Sequence, residues 1–332
     1  MYEVSDSAVA VKRRVTLDDV AKVAHVATST ASRALNRPGR INAETEALVR
    51  QVANDLGYER PENFWRRTHV LTQKIGVTIR LQEYQMLAAI QDKLILEQYL
   101  PVLYPAVSTR VLQTVKREFN NVDGLIIDNP QIPGRIRLEI PNTEPLVVTN
   151  CLMDEATCVV PDTEQGVTVL LTHLSSLRHQ SITYFYANDR WLDRSVLQAL
   201  RSGCERDGLV LHTVGNVGDS LESGHRAVSA WRKHLDSVAV FCGALSAIGF
   251  MEELDQSLGV SVPDDVSVVA IGDAFIGRLH QPRTTTLEVP YRKIGTEAVR
   301  QLVSQIRHRS RLEKRVKLVN MRLVNGGTTG FF

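Results

Sequence analysis

The chain has 332 residues, a formal net charge of +2 at pH 7 and 43% hydrophobic residues. That length suffices for a small head and a larger body of one or two lobes with a real core. The balance excludes a polycation, and no stretch approaches the ~18 apolar residues of a membrane span. The four cysteines (Cys151, Cys158, Cys204, Cys242) show no C-x-x-C pair and no metal spacing. They read as buried free thiols, and neither a metal nor a cofactor is expected.

Residues 1–13 read as an arm without an apolar core of signal-peptide length. From Thr16 the chain reads TLDDVAKVAHVATSTASRALN. Thr16 can cap a helix whose first turn holds Asp18 and Asp19, where the helix dipole favours negative charge. Leu17, Val20, Ala21 and Ala24 fall at i, i+3, i+4, i+7 and make one apolar stripe. A break is expected at His25-Val26-Ala27. A second helix, Thr28 to Asn36, then buries Ala31, Ala34 and Leu35 and exposes Thr28, Ser29, Ser32, Arg33 and Asn36. Two short helices, a tight turn and a slim polar face suggest a helix-turn-helix. Its second helix fits the DNA major groove, where Arg33 can pair with guanine O6 and N7. An ordinary helical hairpin with a solvated face is the other reading. A third helix is expected over 42–57, with Asn42 as cap, Ala43, Ala47, Leu48, Val52 and Leu56 inward, and Gly57 as stop. Residues 12–67 hold eleven Lys/Arg against seven Asp/Glu, so the basic excess sits where phosphate attraction requires it.

The connector over 59–73 carries Pro61, Asn63 and a bulky Phe64-Trp65-Arg66-Arg67 run. From Lys74 the pattern alternates. Strands are expected at 74–80, 101–107, 124–128, 146–150, 158–162, 182–186, 209–214, 238–242 and 266–272. Helices are expected at about 83–98, 108–120, 163–178, 190–207, 220–235 and 244–258. Strands apolar throughout, separated by amphipathic helices, imply parallel sheets covered on both faces, and the length fits two.

The run VTLDDVAKVAHVATSTASRALN…INAETEALVRQVANDLGY resembles the headpiece of the LacI/GalR (lactose-repressor) family of bacterial transcription regulators. The family pattern is VT-x-x-DVA-x-x-AGVS-x-x-TVSR-x-LN, then VS-x-x-T, and L-G-Y after helix three. Two departures fall in the turn, His25 for the family Gly and Ala27 for the family Ser. Histidine tolerates a left-handed backbone better than most residues, and the lost cap costs about 1 kcal/mol. VDGLII, TEQGVTVLLTHLSSLRHQSI, VPDDVSVVAIGD and TTTLEV resemble the family's periplasmic-binding-protein-like core. The segment between Arg80 and Val107 is shorter than usual.

The resemblance implies an α/β protein: a three-helix helix-turn-helix head over 14–58, a hinge over 59–73 and a two-lobed core of parallel sheets over 74–332. It implies a sequence-specific transcription regulator that binds a near-palindromic double-stranded DNA operator as a homodimer in the bacterial cytoplasm, at the nucleoid. Thr28, Ser29 and Arg33 are expected to read bases. Thr16, Ser32, Asn36, Asn42 and Thr45 are expected to hold phosphates, with Leu17 beside them and Arg66 and Arg67 on the backbone. Relatives wedge a hinge leucine into the minor groove; here Thr68 or His69 stands there, and Phe64 or Trp65 either replaces it or packs on the body. The family's tetramerising leucine heptads are missing after Gly330, which favours a dimer.

Family members hold a small effector between the lobes, and here the usual pocket groups change. Asn150 stands where relatives often carry Asp. Val196 stands at the Arg of R-L-x-G-F, with Arg194 two residues earlier. Gly243 and Ala244 replace the Asn and Asp of A-N-D, and Gly272 replaces the first acid of G-[FY]-D-D, leaving Asp273. The remaining candidates are Asn150, Trp191, Arg194 and Asp273. Either the ligand is less polyhydroxylated than the usual sugar, or ligand control has been lost. A sensor without DNA binding and an enzyme are the competing classes. The head opposes the first, and no catalytic constellation supports the second.

Overall fold

The computed structural model describes residues 15–36, 41–56, 58, 71–79, 83–104, 121–129, 145–154, 156–188, 190–233, 238–308 and 315–331, and the backbone alone at Asn36. The arm, Gly57, the connector over 59–70 with Phe64, Trp65, Arg66 and Arg67, and the helix expected at 108–120 lie outside these residues. The chain divides after residue 70 into two compact units.

The first unit contains α1 (Leu17–Val23), α2 (Thr28–Asn36) and α3 (Ala43–Asp55). Thr16 starts α1 with a reciprocal cap. Its hydroxyl oxygen accepts from the Asp19 amide at 3.3 Å, and the Asp19 carboxylate accepts from the Thr16 amide at 2.8 Å. The unit's core joins Val20, Ala21 and Ala24 to Ala31, Ala34 and Leu35 and to Val49 and Ala53. Alanines at the crossings let short helices approach closely enough to share so small a core. The inner face of α3 differs from expectation. Val49, Val52, Ala53 and Leu56 turn inward, at i, i+3, i+4, i+7, while Leu48 is 48% exposed.

The second unit holds two six-stranded sheets. One contains β1 (Lys74–Thr78), β2 (Leu100–Tyr104), β3 (Gly124–Asp128), β4 (Leu146–Thr149), β5 (Thr157–Asp162) and β11 (Val316–Asn320), in the order β11-β5-β4-β3-β1-β2. The other contains β6 (Ser181–Phe185), β7 (Val210–Val214), β8 (Val238–Phe241), β9 (Val268–Gly272), β10 (Thr285–Glu288) and β12 (Arg322–Val324), in the order β12-β10-β9-β8-β6-β7. All pairings are parallel except β10 with β12. The helices are α4 (Tyr84–Leu96), α5 (Thr163–Ser176), α6 (Trp191–Asp207), α7 (Leu221–Trp231), α8 (Ala244–Leu258), α9 (Ala274–Gly277) and α10 (Tyr291–Arg307). Helices α9 and α10 and strands β10, β11 and β12 go beyond the elements read from sequence.

Not every strand is apolar throughout. The central strands β3, β4, β8 and β9 are wholly buried, whereas β2, β7 and β11 are half-exposed because each lies at a sheet edge. The chain passes between the lobes three times: from β5 into α5, from β10 into α10, and through Met321 between β11 and β12. The Met321 amide donates to Gln165 Oε1 at 3.0 Å, and a Cβ added at Gly166 would lie 2.7 Å from Met321 Sδ, so the first and third crossings pack together. One apolar cluster, including Ile75 and Val147 of the first lobe and Ile182 and Val240 of the second, runs through both. Asp123, 2% exposed, fastens the start of this unit: its carboxylate accepts from the Thr72 amide at 2.9 Å and the Gln73 amide at 2.8 Å.

Candidate nucleic-acid interface and ligand cleft

In the head, α2 carries its small polar groups outward. Thr28, Ser29 and Arg33 are exposed and Ser32 is half-buried, while Ala31 and Ala34 are 0% exposed on the opposite side. A helix with alanine behind and hydroxyls plus one guanidinium in front can enter a groove that a bulkier helix could not. The turn before it works as its residues predict: His25 takes φ 49°, the left-handed conformation that the family's glycine would adopt freely. Ala27 has no side chain to cap α2, although its carbonyl accepts from the amides of Thr30 at 2.8 Å and Ala31 at 3.0 Å. The Thr28 hydroxyl donates to Asp18 Oδ1 at 2.8 Å and ties the start of α2 to α1. Asn42 caps α3 by accepting from the Glu44 amide at 3.1 Å. Thr16 is exposed at the N-terminus of α1, Thr45 is half-buried in the first turn of α3, and Leu17 is half-buried against the head core. Helix N-termini with exposed hydroxyls are ready phosphate sites.

In the body, both sheets have their first strand flanked on both sides, β1 by β2 and β3, β6 by β7 and β8. Ligands of such sheets sit beyond the carboxyl ends of the strands at these switch points. Asparagines in the left-handed conformation turn the chain there: Asn129 after β3 (φ 35°), Asn150 after β4 (φ 52°) and Asn188 after β6 (φ 74°). Asn150 is buried and donates from Nδ2 to Asp128 Oδ1 at 2.8 Å, so it braces the cleft wall.

The other expected cleft groups are placed differently from one another. Trp191 is half-buried and packs against the cluster of Leu125, Val148 and Cys158 in the first lobe, spanning the lobes rather than standing free. Arg194 is exposed and donates to the Asn188 carbonyl at 3.0 Å. Asp273 caps α9 by accepting from the Phe275 amide at 2.8 Å, and both its carboxylate oxygens accept from Gln85 Nε2 of the first lobe at 2.7 Å. Val196, which counting from the family pattern placed at its Arg, is 0% exposed in the core.

Sequence reasoning missed Arg190. It sits at the N-cap of α6, its side chain 15% exposed, with Nη2 on Asp193 Oδ1 at 2.9 Å and on the Cys242 carbonyl at 2.5 Å. Asp193 is completely buried; it also accepts from the Cys242 thiol at 2.7 Å and the Ala187 amide at 3.1 Å. Burial opposes the charge of Arg190, but Cys242 and Asp193 outweigh it and hold its proton more firmly than usual. Burial likewise drives the Cys242 thiol far above the ordinary range. The signal available in the sequence was the i, i+3 spacing of Arg190 and Asp193.

Gly243 also has a structural reason. A Cβ there would lie 2.2 Å from Asp219 Cγ, because Asp219 fills the space a side chain at 243 would need. Asp219 Oδ1 accepts from the amides of Leu245 at 2.9 Å and Ser246 at 3.2 Å, capping α8 in place of a local residue. Burial raises its carboxyl above the usual carboxylate range. Among the described residues, Thr78 Oγ1, Asn129 Nδ2 and Arg190 Nε are buried without a hydrogen-bond partner. The cysteines are free, and Cys151 is only half-buried where the other three are buried. No cluster of three or more potential ligands could hold a metal ion, and no helix is long and apolar enough to cross a membrane, among the described residues.

A compact three-helix reading head joined to a two-lobed core with a cleft at paired switch points defines a DNA-binding regulator with an effector-binding domain. Residues 16–61 match the model of the bacterial regulatory proteins, lacI family, and residues 171–329 match the periplasmic binding protein-like domain. The transcriptional regulator MalR of Streptomyces coelicolor is 30% identical over 310 residues, covering 87% of this chain and 90% of MalR. Two solved structures share the fold. A CelR–cellobiose complex has a TM-score of 0.68 at 19% identity and covers 95% of this chain and 100% of its own. The lac repressor dimer bound to operator and the anti-inducer ONPF has a TM-score of 0.67 at 22% identity, covering 96% and 100%. The chain belongs to the LacI family of bacterial regulatory proteins and is a DNA-binding transcriptional regulator.

Proposed function

We propose that this regulator acts as a repressor, as a homodimer on a near-palindromic operator, in the bacterial cytoplasm at the nucleoid, and that it catalyses no reaction. Its domains are a head over 14–58, a hinge over 59–73 and an effector-binding and dimerising core over 74–332. Thr28, Ser29 and Arg33 read base edges. Thr16, Ser32, Asn36, Asn42 and Thr45 hold phosphates beside Leu17, and Arg66 and Arg67 meet the backbone near the hinge. The observation that carries this reading is the division of α2 into a buried alanine face and an exposed hydroxyl-and-arginine face. Two such heads fix half-site spacing and multiply affinity. Selection from randomised duplex tests it: enrichment of an inverted repeat is expected, and enrichment of no sequence over bulk competitor would overturn it.

The cleft takes a small effector by contacts unlike the family's usual ones. Val196 is in the core, Asp219 fills the space of a side chain at 243, and Asp273 is held by Gln85, so the usual sugar-bonding groups are missing or engaged. Arg190, reaching in from the start of α6, supplies a guanidinium from a new position. The ligand satisfies Thr78 Oγ1, Asn129 Nδ2 and Arg190 Nε, beside Asn150 and Trp191. Such a site selects for acceptor oxygens near these donors, because leaving buried donors unpaired costs about 1–3 kcal/mol each. Calorimetry against a metabolite panel checks this; tight binding of a plain monosaccharide through Arg194 and Asp273 would overturn it.

A further inference from the structure

The face of the first lobe formed by α4, α10 and β11 carries a groove of about 610 Å³. Five cations line it, Lys93 of α4, Arg292, Lys293 and Arg300 of α10, and Lys317 of β11, against the single carboxylate of Glu297. Three of them are engaged: Lys93 with Glu97 at 2.8 Å, Arg292 with Asp92 at 3.5 Å, and Arg300 with Glu297. Glu297 is further held by Gln301 at 2.8 Å. Lys293 and Lys317 have no ion pair among the described residues, and each is exposed on its own wall of the groove.

The β11 wall adds a second feature. Among the described residues β11 pairs with β5 alone, so its other edge leaves backbone donors and acceptors without a neighbouring strand. Successive residues of a strand alternate between faces. Val319 packs on the core shared with α10, which places Lys317 on the α10 side. Val316, 58% exposed, and Leu318, 52% exposed, alternate with them, Leu318 also bordering the groove. The strand therefore offers an open edge, a cationic side and an apolar side.

We propose that this edge is a docking site for an extended acidic segment of a partner protein, added as a strand beside β11. Its acidic residues face Lys317 and Lys293, and its alternate apolar residues lie beside Val316 and Leu318. Charge complementarity selects the sign of the partner, and edge addition supplies its main-chain bonds. The apolar side separates a polypeptide from other anions, because two exposed aliphatic side chains offer nothing to a free phosphate or to the backbone of a duplex. This inference is independent of the cleft and of the operator.

The test uses the full-length protein and a capped peptide of about eight residues alternating Glu and Val, near the length of a strand. Controls are the same composition in two blocks, an alternating Lys and Val peptide, inorganic phosphate and a duplex lacking any operator. Fluorescence anisotropy should show the alternating acidic peptide binding at least ~10-fold more tightly than the blocked one. Hydrogen exchange should slow at β11 amides. The double variant Lys293→Glu, Lys317→Glu, at two exposed positions, should abolish the preference while operator binding persists. Equal binding of the blocked peptide, unchanged β11 exchange, or full displacement by phosphate or duplex would each overturn the proposal.

Discussion

Gln85 at the start of α4 donates its amide to both carboxylate oxygens of Asp273 at 2.7 Å, joining the first lobe to the second across the mouth of the cleft. The same amide reaches the Tyr84 hydroxyl at 3.4 Å, and Asp273 simultaneously caps α9. A bond that exists only when the lobes are close biases the equilibrium toward closure by its own strength, here a hydrogen bond to a charged group of about 1.5–3 kcal/mol. Gln85→Ala is expected to enlarge the radius of gyration of the ligand-free protein and to speed exchange of cleft amides. Unchanged scattering and exchange would show that the bond does not set the lobe angle.

Arg33→Ala is expected to weaken operator binding by about 1–3 kcal/mol and to relax preference at one base of each half-site. Thr16→Ala should weaken binding more evenly across sequences, because it removes the hydroxyl proposed to hold a phosphate, which also accepts from the Asp19 amide. Quantitative binding to a panel of single-base operator variants separates the two outcomes. An Arg33→Ala protein with unaltered base preference would remove α2 from the reading role.

Arg190 and Asp193 form a pair in which one partner is wholly buried. Arg190→Ala strands that carboxylate and should destabilise the protein by about 3 kcal/mol in denaturant titration, with Arg190→Lys recovering part. Gly243→Asn, which restores the side chain of the family pattern, should also destabilise, since it drives into Asp219. If Gly243→Asn is neutral, Asp219 moves aside at no cost and the cleft is more adaptable than its geometry suggests.

His179 shares its Nε2 with the Gly330 carbonyl and the Ser267 hydroxyl, both at 3.0 Å, and burial lowers its affinity for a proton below the usual 6.5; burial does the same to His173. The folded state therefore binds protons less readily at these sites than the unfolded chain does. Their contribution to stability is present above pH 6.5 and is lost as pH falls through the lowered folded values. The Tm should drop on acidification from neutrality to about pH 5, and a His173→Gln, His179→Gln variant should show a shallower drop. An equal slope in both proteins would place the acid sensitivity elsewhere.

The head was legible in sequence down to single residues of α1 and α2, because Thr16, Asp19, Ala31 and Ala34 act through neighbours a turn away. The left-handed turn at His25 followed from its standing where the family pattern has Gly. On α3 the inward Val52 and Leu56 were read, but Ala43, Ala47 and Leu48 are exposed, since the run AETEALVRQVAND offers two apolar stripes and only packing against α1 and α2 selects Val49 over Leu48. The cleft was far less legible. Arg190 and Asp219 work through partners distant in sequence, Cys242 for the first and Leu245 and Ser246 for the second. Counting from a family pattern pointed to Val196 and Gly243 but could not say that the first lies in the core or that Asp219 occupies the space beside the second. Edge strands escaped the expectation of uniform burial because edge position is a property of the sheet order and not of the strand.

Strands β11 and β12, separated only by Met321, complete different sheets. During synthesis, neither lobe can receive its final strand until residues 316–324 have left the ribosome. Nascent chains halted anywhere before residue 315 carry two unfinished sheets at once, which exposes both to chaperones and proteases together. The two halves of the body thus mature in a single late event, whatever order their other elements assemble in.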